Sequence, residues 1–155
     1  MRKLIVLLLL WNHIVLCHAH DGGNFTASDM LKSMNSGDKA AILMVYFGST
    51  HDDTRALTIE PLNQKVKELY PGIEVRDAFT SRMVIRRLKD KGVEKQNPVE
   101  ALSKLKAEGF THIIIQSANI IEGIEMEALR REVAAMANQF KDSRIGNPLL
   151  YAPED

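Results

Sequence analysis

The stretch THIIIQSANIIEGIEMEAL, from Thr111 to Leu129, decides how this chain folds. It opens on a short apolar run between polar residues, His112 to Ser117, which reads as a buried strand. A polar joint follows. A helical pattern then begins at Glu125 and is expected to continue to Phe140. A strand that feeds a helix through a polar joint is the repeating unit of an open α/β sheet. In such sheets ligands bind outside the carboxyl ends of the strands.

The same unit recurs upstream. Ala40 to Phe47 is an apolar run stopped by Gly48-Ser49-Thr50, and Asp52 or Asp53 is placed to cap a helix reaching about Tyr70. Leu57, Leu62, Val66 and Leu69 fall roughly on one face of that helix, and Pro61 inside it predicts a kink. Pro71-Gly72 breaks the pattern before a second strand, Ile73 to Phe79. Thr80-Ser81 opens a helix whose apolar positions are Met83, Val84, Ile85 and Leu88. Asn97 fits an N-cap, Pro98 a first helical position and Gly109 a stop, which predicts another helix between them. Ser143 to Leu150 is read as a short last strand. Strands alternating with helices predict an α/β fold in three layers, a mainly parallel sheet with helices on both faces.

The chain has 155 residues, 45% apolar and 26% charged, which suits one soluble domain with a real core. Its formal net charge is zero, and no basic block or stripe marks a nucleic-acid surface. Met1-Arg2-Lys3, the apolar Leu4 to Leu16 and Cys17-His18-Ala19 form a secretory signal pattern, with cleavage expected after Ala19. The apolar run is shorter than the roughly 20 residues that span a bilayer. Residues 1–19 are therefore expected to be a signal peptide, 20–38 a flexible leader with one helical turn near Asp29 to Met34, and 39–155 the α/β lobe. The expected location is periplasmic or secreted. Cys17 is the sole cysteine, so a chain cleaved after Ala19 has no disulfide and no thiolate chemistry.

Several blocks, in order, resemble one family. They are Tyr46-Phe47-Gly48-Ser49-Thr50-His51 with Thr54-Arg55, then Ala78-Phe79-Thr80-Ser81 with Ile85 and Leu88. Next come Asn97-Pro98 with Glu100-Ala101-Leu102, Leu105 and Gly109, and Ile115-Gln116-Ser117 with Ile120-Ile121, Gly123 and Glu125. Gly146 and Pro148-Leu149-Leu150 close the set. Together they resemble the N-terminal lobe of the anaerobic-type, class II sirohydrochlorin cobaltochelatases. The resemblance implies a chelatase-like lobe that inserts Co²⁺ into sirohydrochlorin on the route to cobalamin, with no tightly bound cofactor and with cobalt as the substrate metal. It also implies a tetrapyrrole partner. Members of this type continue through a second similar lobe, whereas a shorter branch works as single-lobe homodimers; a homodimer is expected here. Where the family usually has a metal-binding histidine, this chain has Asn119.

Chelation needs a cleft for a flat macrocycle, a ligand that delivers the metal and a base for the pyrrole protons. Neutral imidazole serves the last two needs; the amide of Asn119 serves neither well and is suited to hydrogen bonding a ligand or the joint itself. His51 is the imidazole expected at the active edge, as metal ligand and catalytic residue, as a binder of a substrate carboxylate, or as a plain loop histidine. His112 starts its strand and belongs to the opposite edge. Glu125 occupies a family acidic position and reads as a metal ligand, a proton acceptor or a first-turn helix residue. Ser49, Thr50, Thr80 and Ser81 are read either as binders of the substrate's acidic arms or as caps. Arg82 and Arg55 are candidates to pair with those arms, Arg86 and Arg87 more a solvated face. The resemblance adds Gln116 to the substrate-binding set. Two other readings stand beside the chelatase: a non-catalytic periplasmic protein that binds a tetrapyrrole or metal, and a truncated, inactive chelatase.

Overall fold

The computed structural model describes residues 27–151; the expected signal segment and the first part of the expected leader, residues 20–26, lie outside them. The order is α1 (Ala27–Lys32), β1 (Ala40–Tyr46), α2 (Asp52–Thr54), a π-helical turn (Arg55–Ile59), α3 (Glu60–Leu69), β2 (Glu74–Phe79), α4 (Arg82–Asp90), α5 (Pro98–Ala107), β3 (His112–Ser117), α6 (Ile124–Met136), a 3₁₀ turn (Ala137–Gln139) and β4 (Asp142–Ile145). The strands form one parallel sheet in the order β2-β1-β3-β4.

Both faces of the sheet are covered, which is why the two central strands, β1 and β3, are apolar almost throughout rather than at alternate positions, whereas the edge strands β2 and β4 carry charged residues. Ala41, Leu43 and Val45 of β1, with Ile113 and Ile115 of β3, pack against α5 and α6 through Leu102, Leu105, Met126 and Leu129. Ile42, Met44, Tyr46 and Ile114 point the other way, into a second cluster with Ile59, Phe79 and Leu88. Met30 of α1 is fully buried in that second cluster. Part of the stretch read as a leader thus contributes to the core, because one apolar side chain there finds an uncovered patch of sheet.

Helix ends follow the local chemistry. Asn97 caps α5 through a reciprocal box: its Oδ1 accepts the Glu100 N–H at 3.0 Å, and Glu100 Oε2 accepts the Asn97 N–H at 2.9 Å. Ser81 caps α4 by accepting the Val84 N–H. The helix expected from Asp52 to Tyr70 exists but changes pitch. Proline has no N–H to donate, and its ring clashes with the carbonyl four residues earlier. Immediately before Pro61 the helix widens into a π turn, in which the Glu60 N–H reaches back to Arg55 O. The extra residue shifts the phase of the face. Leu57 is left 78% exposed and Leu69 61%, whereas Ile59 is buried, so the expected Leu57–Leu69 stripe is not the packed face. The last strand stops at Ile145 and not near Leu150, because Gly146-Asn147-Pro148 cannot continue a ladder.

At the amino edge Asp38 gathers the chain. Its carboxylate accepts from the Lys141 ammonium at 2.7 Å, the Asn35 N–H at 2.9 Å and the Thr111 hydroxyl at 3.2 Å. His112 is buried at this edge, with Nδ1 2.9 Å from Thr111 Oγ1.

Candidate functional site

The register lines up the carboxyl ends of three strands. Tyr46 pairs with Phe79 and Val45 with Ser117, so the joints after β1, β2 and β3 leave the sheet side by side. Backbone bonds fasten them together. The Thr80 N–H donates to Tyr46 O at 2.8 Å, the Ser81 N–H to Phe47 O at 3.2 Å, and the Ala118 N–H to Val45 O at 2.8 Å. Of the residues expected at the site, Ser49, Thr50, His51, Thr80, Ser81, Arg82 and Asn119 all belong to these joints, and Glu125 follows on the first turn of α6. His112 lies at the far edge.

The first joint turns on Gly48, at φ +99°. A Cβ there would lie 2.4 Å from the ring of buried Phe79, so the chain passes too close for any side chain. The Ser49 hydroxyl accepts the His51 N–H at 3.1 Å. Arg55 is not free to meet a substrate: it is buried, its guanidinium donates to Ser49 O at 2.9 Å, and it pairs with Asp52. It is a strut for the joint. His51 itself is exposed, and its ring has no hydrogen-bond partner among the described residues. An exposed imidazole without a partner is open to a metal ion.

The second joint has one unusual atom. Thr80 Oγ1 is buried and has no hydrogen-bond partner among the described residues, whereas Ser81 is committed to the α4 cap. Arg82 is exposed, its nearest acid being Glu132 at 3.9 Å.

The third joint is stitched to the segment after β4. The Leu149 N–H donates to Asn119 O at 3.1 Å and the Leu150 N–H to Ile120 O at 2.7 Å, and Ile121 bridges to Leu150. Arg130 of α6 locks this from below. Its Nε and Nη2 donate to the two carboxylate oxygens of Glu122, each at 3.0 Å, and Nη2 also reaches Asn147 Oδ1 at 3.0 Å. The paired guanidinium holds the Glu122 carboxyl below its ordinary range. Gln116 lies flat over Gly146, where a Cβ would fall 2.2 Å from its Oε1, and its Nε2 donates to Ser117 O at 2.9 Å. The result is a fixed platform that exposes Ile120, Ile121, Leu149 and Leu150.

Asn119 sits where platform and sheet meet. Its backbone satisfies the joint, with the N–H on Ser117 Oγ at 3.1 Å. Its side-chain amide has no partner among the described residues and lines a cavity of about 490 Å³. Gln116, Asn147, Met44, Val66 and Tyr70 share that lining, and none of its side chains is charged. His51 and Glu125 are outside it. Glu125 is exposed on α6. Among the described residues no group of three or more His, Cys, Asp or Glu side chains is placed to hold a metal ion.

Sequence reasoning missed Arg130, Glu122 and Asn147. They are 8 and 17 residues apart, and no helical or strand spacing links them.

The family model for cobalt chelatase (CbiK) matches residues 40–155. The chain is 36% identical over 118 residues to the sirohydrochlorin cobaltochelatase of Salmonella typhimurium, covering 76% of this chain and 45% of that protein. It is 35% identical over 119 residues to the sirohydrochlorin cobaltochelatase CbiKC of Nitratidesulfovibrio vulgaris, covering 76% of this chain and 42% of that one. The chain spans less than half the length of either relative.

Proposed function

This chain belongs to the cobalt chelatase family, and on that premise we propose that its carboxyl edge binds a tetrapyrrole of the sirohydrochlorin class and takes part in inserting Co²⁺ into it. The observation that carries the reading is the convergence of the three joints on one edge beside an apolar platform. A flat macrocycle buries its faces against apolar side chains such as Ile120, Ile121, Leu149 and Leu150. Its acidic arms meet Arg82 at the second joint, and Gln116 and Asn119 offer amides. His51 is the group that can ligate the metal or accept a pyrrole proton as the metal enters; Glu125 is the second candidate acceptor.

Among the described residues, one copy of the chain brings a single imidazole, His51, to this edge. The reading therefore includes a second copy of the chain facing the first, so that two copies of His51 and Glu125 enclose the macrocycle. The exposed apolar residues of the platform support such an association. Sedimentation at tens of micromolar is expected to give a dimer, and a clean monomer would remove this part of the proposal. The leader pattern supports a periplasmic setting.

The test is to mix the protein with sirohydrochlorin and Co²⁺ and follow the absorbance change. Metal insertion faster than the spontaneous rate is the expected result; a rate equal to the spontaneous one sinks the catalytic reading. A second reading, a non-catalytic tetrapyrrole or metal binder, is favoured by Asn119 and by the lack of a three-ligand cluster among the described residues. It predicts saturable binding of sirohydrochlorin, haem or Co²⁺ without turnover.

A further inference from the structure

We propose that the outer face of α4 is a capture strip for the carboxylate arms of the incoming substrate. The inference rests on the tetrapyrrole reading above and adds residues that the reading does not need. The nine residues of α4 carry Arg82, Arg86, Arg87 and Lys89 against one acid, Asp90, in a chain of zero formal net charge. All four cations are exposed. Arg82, Arg86 and Lys89 fall on one stripe by their spacing of four and three, about 10 Å long at the helical rise.

Elsewhere the cations are largely answered. Arg76 pairs with Glu74 and Glu108, Lys95 with Asp77, Arg130 with Glu122, Arg131 with Glu127, Lys141 with Asp38 and Arg144 with Asp142. On α4 only Arg82 comes within 4 Å of an acid, and Arg86, Arg87 and Lys89 meet none among the described residues. The helix also lies in the right place. Its leading end is tied to the β1 joint by the Ser81 N–H on Phe47 O, and just past its far end Lys91 Nζ donates to Thr50 O at 3.1 Å. The strip therefore borders the loop that carries His51. The cavity beside Asn119 contains no charge, so the acidic arms of a polycarboxylate find no counter-ion there.

An exposed row of like charges acts at range, before contact. It raises the encounter rate of an anionic ligand and changes dissociation little, because the bound arms stay solvated. The test uses the full chain and an Arg86→Gln/Lys89→Gln variant, with sirohydrochlorin as probe and binding followed by stopped-flow absorbance across ionic strengths. The variant is expected to associate about three- to tenfold more slowly at low ionic strength. Its salt dependence should be flatter, its dissociation rate unchanged, and its rates should converge with those of the parent near 1 M salt, where the screening length is about 3 Å. The same macrocycle with its carboxyls methyl-esterified should bind parent and variant at equal rates. Equal association rates and equal salt slopes with the free acid would overturn the strip while leaving the tetrapyrrole site standing. An absence of saturable binding to the parent protein would instead refute the tetrapyrrole reading, and the strip with it.

Discussion

Gly48→Ala is expected to destabilise the protein by about 2–5 kcal/mol, from two separable causes. The first is backbone conformation. At φ +99° a Cβ meets its own carbonyl environment at a cost of about 1–2 kcal/mol. The second is steric, since the new Cβ would lie 2.4 Å from Phe79 Cδ2 and 2.7 Å from its Cγ. The ring cannot retreat. Phe79 is fully buried, Tyr46 stands edge-on to it at 6.5 Å between centroids, and the Lys95 ammonium sits 5.1 Å from its centre. Overpacking of this kind costs about 1–3 kcal/mol. Together these terms would consume much of a typical stability of about 5–15 kcal/mol. Urea unfolding of Gly48→Ala, Phe79→Leu and the double variant separates them. A leucine at 79 makes room for the alanine, so the double variant should be more stable than the sum of the singles by about 1–3 kcal/mol. The backbone cost remains, and the double should still be about 1–2 kcal/mol below Phe79→Leu alone. Additivity within about 0.5 kcal/mol would refute the close approach of joint and ring.

Asn97→Ala removes the α5 cap and strands its Glu100 partner; a loss of about 1–2 kcal/mol in urea unfolding is expected, and no loss would show that the box adds nothing. Asp38 is held down from 3.8 to about 2 chiefly by the Lys141 hydrogen bond, then by the Asn35 N–H. Its contribution is therefore complete above the unfolded value and is lost as pH falls from about 4 towards 2; the stability gap between the parent and Asp38→Asn, measured by thermal melts, should close over that window, and a gap that stays constant contradicts the linkage. Asn119→His adds an imidazole beside the platform. Tighter Co²⁺ binding by at least about tenfold, or 1.4 kcal/mol, is expected in a titration followed by visible absorption, and an unchanged affinity would show that this position does not face the metal.

Much of the fold was legible because its signals are local. His112 to Ser117 announces a strand covered on both faces, and Asn97-Pro98 announces a helix start; both elements appear where their residues put them. The site was legible as an edge. Parallel strands bring every strand-to-helix joint to one side, so the polar residues after β1, β2 and β3 had to converge. What escaped depends on partners distant in sequence. Arg55 carries no mark that distinguishes a buried strut from a substrate ligand, and its role follows from the position of Ser49 O. The lock between Arg130, Glu122 and Asn147 exists only once α6 is laid under the third joint. The cavity beside Asn119 arises from β1, β3, α3 and the segment after β4 together, and no single stretch encodes it.

The widened turn before Pro61 sets a rule for chain length. A helix advances about 100° per residue, so removing one residue from Arg55–Ile59 would return the segment to regular pitch and rotate everything before it by that angle. Arg55 would swing away from Ser49 O, Ile59 would leave the core, and Pro61 would again meet a carbonyl in its path. Point changes at exposed Leu57 or Thr58 keep the count and so keep the rotation. The segment thus tolerates changes in what its surface residues are far better than changes in how many residues there are, and the count ahead of Pro61 fixes the orientation of the joint that Arg55 braces.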